Sequence, residues 1–309
     1  MNTAETPLLE IAGLFKRFGR FEAVRDLTFS VSGGEIVGLL GPNGAGKTTT
    51  IRCIASLLRP TAGRVRIGGF DLETSPEDAK RALAYVPEVP NPYEMLTVWE
   101  HLRFIAAAYG AEGEMVRAEA VLKRLDLWEK RGDLGANLSK GMKQKLACAC
   151  AFVHRARVFC FDEPLIGLDP KGARELKEML RESRDAGAAV LVSTHMLDTA
   201  ERLCDRVIIM DRGAVVEQGT MDELHARVTM GATLEEMFLH LTERAPQEQA
   251  PRERPPPART MAAQERPARR PDQPSQADPD HPGGPYHGRF WLRRPASAGG
   301  DGEPDKSFP

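Results

Sequence analysis

Gly41-Pro42-Asn43-Gly44-Ala45-Gly46-Lys47-Thr48 follows directly on the apolar run Glu35-Ile36-Val37-Gly38-Leu39-Leu40. The run reads as a buried strand, and Thr48 to Leu58 reads as the helix after it, so the glycine-rich stretch has strand-loop-helix context. Glycines let backbone N–H groups close around a phosphate chain without side-chain clash, and the helix N-terminus adds its partial positive charge. Lys47 is placed to reach the outer phosphates, and Thr48 to hold Mg²⁺. The plain alternative is a glycine-rich turn with no ligand. Lys-Thr at the correct offset behind a strand argues against it and points to a nucleoside triphosphate.

The chain has 309 residues, 41% hydrophobic and 28% charged, enough for a sizeable core and one or two lobes. A net charge of -2 gives no bulk attraction to nucleic acid, and no basic block with interleaved aromatics occurs in the part expected to fold. Nucleic acid is therefore not an expected partner. No apolar run approaches the roughly 18 residues needed to span a bilayer, and Met1-Asn2-Thr3-Ala4-Glu5 lacks the basic start and apolar core of a leader. The expectation is a chain that neither inserts nor is secreted. Cys53, Cys148, Cys150, Cys160 and Cys204 sit in apolar stretches without paired metal spacing and read as reduced packing residues.

Short β-like runs (Leu8 to Phe15, Thr28 to Val31, Glu35 to Leu40, Arg64 to Ile67, Leu83 to Val86) surround the helix after the phosphate loop. From about 88 to 155 the pattern is helical, with a last helix over Lys140 to Val153. Then α/β alternation returns: strands over Val158 to Phe161, Ala188 to Ser193 and Arg206 to Met210, helices over Ala173 to Ala186 and Leu197 to Cys204, and an ending at Thr233 to Phe238. The expected architecture is one α/β domain over residues 1–244 with a helical subdomain inserted at about 88–155. The last 65 residues, 245–309, hold 14 of the 23 prolines and almost no aliphatic side chains. Such a tail cannot bury enough apolar surface to fold and is expected to be disordered.

Val158-Phe159-Cys160-Phe161-Asp162-Glu163 is an apolar strand ending in two acids. Beside a phosphate loop, a carboxylate here belongs to Mg²⁺, and the next can accept a proton from an attacking water. Two solvated acids at a strand end are the alternative. Leu138-Ser139-Lys140-Gly141-Met142-Lys143-Gln144 opens a helix, with Ser139 as N-cap, and alone is an ordinary helix start. His195 ends a hydrophobic strand, where a lone histidine is more often structural.

In this order, the motifs from about Leu8 to Glu243 resemble the ATP-binding subunit of an ABC transporter. The resemblance implies a P-loop NTPase, the ABC ATPase nucleotide-binding domain, that hydrolyses ATP with Mg²⁺. It implies that Phe18, in Lys16-Arg17-Phe18-Gly19, stacks on adenine and that Gly41, Pro42, Asn43, Gly44, Ala45, Gly46, Lys47, Thr48 and Thr49 hold the phosphates. Asp162 would be the metal-associated acid, Glu163 the catalytic base and His195 the switch histidine on the γ-phosphate. Ser139 and Gly141 would face phosphate across a dimer, and Leu165 to Asp169 would be the loop reaching across it.

Three positions depart from the usual pattern. Lys140 and Met142 stand where Gly and Gln are usual, and Glu88, in Tyr85-Val86-Pro87-Glu88, replaces a Gln. Glu88 can accept from water or touch Mg²⁺ but cannot donate as an amide does. The wording around Glu88, Leu96 to Leu102, Ser139 to Lys145 and Asp162 to Asp169 is most similar to the exporter-like, Ecs-type ATPase subunits of Gram-positive bacteria. The resemblance further implies a homodimer, or a heterodimer with a related ATPase, and an integral membrane permease. It would place the chain peripherally on the cytoplasmic face of the membrane. The competing class, a soluble ABC ATPase acting on ribosomes or DNA, usually has two nucleotide domains or a long coiled coil. Here one domain is read, with about 90 residues and no heptad run between Lys47 and Ser139.

Overall fold

The computed structural model of the chain describes residues 7–227. The expected ending at Thr233 to Phe238, the domain limit at 244 and the tail lie outside the described residues. In chain order the elements are β1 (Pro7–Phe18), β2 (Phe21–Ser32), β3 (Glu35–Leu40), α1 (Lys47–Ile54), β4 (Ala62–Ile67), β5 (Phe70–Asp71), α2 (Pro76–Arg81) and β6 (Leu83–Val86). Three helices follow, α3 (Val98–Ala108), α4 (Met115–Arg124) and α5 (Lys140–Val153). The rest are β7 (Val158–Asp162), α6 (Pro170–Asp185), β8 (Ala189–Thr194), α7 (Leu197–Leu203), β9 (Arg206–Asp211), β10 (Ala214–Thr220) and α8 (Met221–Arg227).

Two sheets result. One is antiparallel, in the order β2-β1-β4-β5; the other runs β10-β9-β3-β8-β7-β6, parallel except for β10 at its edge. Apart from the edge strand β10, the strands of the larger sheet are buried along most of their length, which is why they read as continuous apolar runs rather than alternating ones. Val37 and Leu39 of β3, with Val158 and Cys160 of β7, join the core shared with α1 and the antiparallel sheet. Their neighbours Ile36, Leu40, Phe159 and Phe161 point the other way, into a core built with α3 to α7. In that second core the rings of Phe152 and Phe161 lie 5.9 Å apart, so Phe161→Ala would cost about 3–5 kcal/mol.

Several element ends differ from the sequence pattern for local reasons. The helix after the phosphate loop stops at Ile54, not Leu58, because Ser56 turns left-handed at φ 59 and the N–H groups of Leu57 and Leu58 return to the Arg52 carbonyl. Similarly α4 stops at Arg124, short of the helical pattern that runs from Met115 to Leu127, ahead of Asp126 at φ 60. The helix expected from Ala173 begins at Pro170, since Asp169 caps it by accepting from the Gly172 N–H at 3.4 Å and proline suits the first helical position. α3 starts on a reciprocal cap, Thr97 accepting from the Glu100 N–H while the Glu100 carboxylate accepts from the Thr97 N–H at 2.8 Å. β5, α2, β10 and α8 are short elements that the pattern did not reveal.

Candidate functional site

Four neighbouring parallel strands, β3, β8, β7 and β6, end on the same edge of the larger sheet. Their register pairs Leu40 with Thr194, Asp162 with Ser193, and Val86 with Phe161. The segments leaving these ends are the phosphate loop, His195, Glu163 and Glu88. The carboxyl ends of strands in such a sheet are where α/β folds place ligands.

The loop enters α1 through Gly46 at φ 103, where a Cβ would lie 2.6 Å from the Ala23 carbonyl oxygen. Only glycine fits that turn and that approach. No side chain caps α1, so the N–H groups of its first turn are left for an anion. Lys47 is 7% exposed, and its Nζ donates to the carbonyls of Gly41 at 2.7 Å and Pro42 at 3.2 Å. Burial lowers the Lys47 pKa, an effect opposed by the charges of Glu163, Asp162 and Glu88.

Asp162, 1% exposed, accepts on Oδ1 from Ser193 Oγ at 2.6 Å and from Thr48 Oγ1 at 3.2 Å. Its other oxygen, Oδ2, is buried with no hydrogen-bond partner. A hydroxyl beside a carboxylate with one unpaired buried oxygen fits Mg²⁺, which typically takes one or two protein oxygens and completes its shell with phosphates and water. No group of three His, Cys, Asp or Glu side chains suited to a metal occurs among the described residues. Glu163, also buried, holds a left-handed φ of 49, which costs a non-glycine residue roughly 1–2 kcal/mol. Its N–H donates to Ser193 Oγ at 3.1 Å and the Ser193 carbonyl at 3.2 Å. His195 Nδ1 lies 2.9 Å from Glu163 Oε1, its ring half exposed.

A cavity of ≈ 310 Å³ opens above these groups, lined by Phe21, Lys47, Thr48, Glu88, Glu163 and His195 among others. Phe18 is not in its wall; it ends β1, 36% exposed, with Lys16 Nζ 4.9 Å from its ring centre. Ser139, Gly141 and Asp169 also stand outside the cavity. Ser139 caps α5 by accepting from the Met142 N–H at 3.3 Å, and a Cβ on Gly141 would lie 2.7 Å from the Gly167 carbonyl oxygen. Asp169 pairs with Lys145 at 2.7 Å. Ser193, which bridges both acids, was not singled out from the sequence. Its only sequence signal is a hydroxyl ending a hydrophobic strand, and its importance depends on the pairing of β7 with β8.

The family described as "ABC transporter" matches residues 24–166. The chain is 40% identical over 238 residues to the ABC-type transporter ATP-binding protein EcsA of Bacillus subtilis (strain 168), covering 76% of this chain and 96% of that protein. It is 38% identical over 214 residues to the SkfA peptide export ATP-binding protein SkfE of the same organism, covering 68% and 88%. A solved ATP-binding subunit of an ABC transporter superposes with a TM-score of 0.73 at 41% identity, over 76% of this chain and 99% of its own.

Proposed function

We propose a function from the premise that the chain belongs to the ATP-binding subunits of ABC transporters: it hydrolyses ATP in an exporter-like complex, at a site completed by a second ATPase chain. The observation that carries this is the half-site. Phosphate loop, Glu88, Glu163 and His195 line one cavity, whereas Ser139, Gly141 and Asp169 lie outside its wall. Two copies, or this chain and a related one, would pair each phosphate loop with the other's Ser139 segment around ATP.

In that reading Gly41 to Thr49 bind the phosphates through backbone N–H groups, the α1 N-terminus and Lys47. Phe18 stacks on the adenine. Thr48 and Asp162 hold Mg²⁺, with Glu88 lining the same cavity as a further oxygen donor. Bound there, the ion would neutralise charge on the phosphates. Glu163 takes a proton from the attacking water, while His195 orients its carboxylate and reaches the γ-phosphate.

Among the described residues no helix is long and apolar enough to cross a membrane. Movement of cargo therefore calls for a membrane-embedded permease, which would hold the chain at the cytoplasmic face. After Glu88 in the chain, Val89, Tyr93 and Met95, with Phe104 of α3, are large exposed apolar side chains, and the Tyr93 and Phe104 rings lie edge-on at 5.7 Å. Such a surface suits a docking partner. Likeness to a peptide-export ATPase favours the export direction. The test is affinity purification of the tagged chain from detergent-solubilised membranes. A stoichiometric multi-spanning partner is expected; recovery with ribosomes, DNA or nothing would contradict the transport reading.

A further inference from the structure

We infer that Gln144 is a positioning residue for the Glu163 carboxylate, acting through the Pro164 carbonyl; the inference rests on the reading of Glu163 as the base. Glu163 sits in a left-handed conformation that persists only when its surroundings fix it. Upstream, Ser193 fixes it through the Glu163 N–H. Downstream, the Glu163 carbonyl accepts from the Ile166 N–H at 3.2 Å within the same turn, and Pro164 has no N–H to anchor, so the first tie to another element is the Pro164 carbonyl. Gln144 Nε2 donates to that oxygen at 3.1 Å.

Gln144 is 2% exposed, on a helix whose other buried side chains are leucine, cysteine, alanine, phenylalanine and valine. A buried amide costs stability unless it is hydrogen-bonded, so packing alone would be served as well by an apolar residue. The contact holds the Pro164–Leu165 peptide, one residue beyond Glu163, and with the ring-locked φ of Pro164 it limits the direction in which the carboxylate leaves the backbone. It also joins the base to α5, whose first turn carries Gly141 and whose Lys145 pairs with Asp169. One contact thus ties the helix that carries the Ser139 segment to the backbone beside the base of the same chain.

The test uses Gln144→Met and Gln144→Glu in the full chain, with and without Glu163→Gln. Gln144→Met is expected to lower kcat about tenfold to a hundredfold, with ATP affinity within about twofold of wild type, since small misplacements of a reacting group cost that much. With Glu163→Gln present it adds no further loss, because no base remains to be placed. Gln144→Glu is expected to regain kcat relative to Gln144→Met as pH falls, when the protonated acid can donate to Pro164. Wild-type kcat in Gln144→Met, a parallel loss of ATP affinity, or equal losses in both backgrounds would overturn the inference. Wild-type kcat in Glu163→Gln alone would overturn the reading of the base, and this inference with it.

Discussion

Replacing Ser193 by alanine removes one oxygen that serves both acids. Ser193 is fully buried, donates to Asp162 at 2.6 Å and accepts from the Glu163 N–H at 3.1 Å. The first bond has the length of a charge-assisted O–H···O⁻ contact, and such bonds contribute about 1.5–3 kcal/mol. The Glu163 N–H keeps the Ser193 carbonyl at 3.2 Å, so its share of the loss is small. Asp162 keeps only Thr48 on Oδ1, and its Oδ2 already has no partner. The total is about 2–3 kcal/mol, or about 4–12 °C in Tm for a domain of this size. Thermal unfolding of wild type and Ser193→Ala, with and without Mg-ATP, measures it. The increment added by Mg-ATP should also shrink, because Asp162 is less well held. Ser183→Ala is the matched control, since Ser183 Oγ donates only to the Met179 carbonyl at 2.9 Å within α6, and it should cost no more than about 1 kcal/mol. A Ser193→Ala Tm equal to wild type, or no lower than the control's, would mean that Ser193 does not hold Asp162.

Lys47→Ala should leave the fold intact and weaken ATP binding about a hundredfold or more, read by titration with a fluorescent nucleotide; wild-type affinity would mean the loop is misassigned. Acid should destabilise the fold through His154, 4% exposed with its ring stacked 3.8 Å from Tyr109, whose pKa is lowered from 6.5 to about 4 by burial and then by Arg117. Between those values the unfolded chain binds the extra proton, so stability falls with falling pH, by about 2 kcal/mol from pH 7 to 5. Denaturant titrations of wild type and His154→Phe at both pH values check it, the variant lacking that part of the loss.

The phosphate loop and the order of motifs were legible because each is local. β3, β6 and α5 begin and end where the apolar runs and the Ser139 cap indicate. The five cysteines are free, four of them buried, as their apolar settings implied. Ser193 and Gln144 were not legible as parts of the site. Their partners lie in other segments, and only the β7–β8 register and the packing of α5 bring them to Asp162 and Pro164. Lys16 over Phe18 and Phe21 in the cavity wall likewise depend on how β1 and β2 pair. The short α2 and β5 carry too few residues for a periodicity to stand out.

The most direct test of an ATP site shared between two chains is the size of Glu163→Gln with bound ATP, by light scattering on the full chain. Without its base the variant should hold ATP unhydrolysed and accumulate as a dimer that falls apart when ATP is removed. A variant that binds ATP yet remains a monomer would contradict the account.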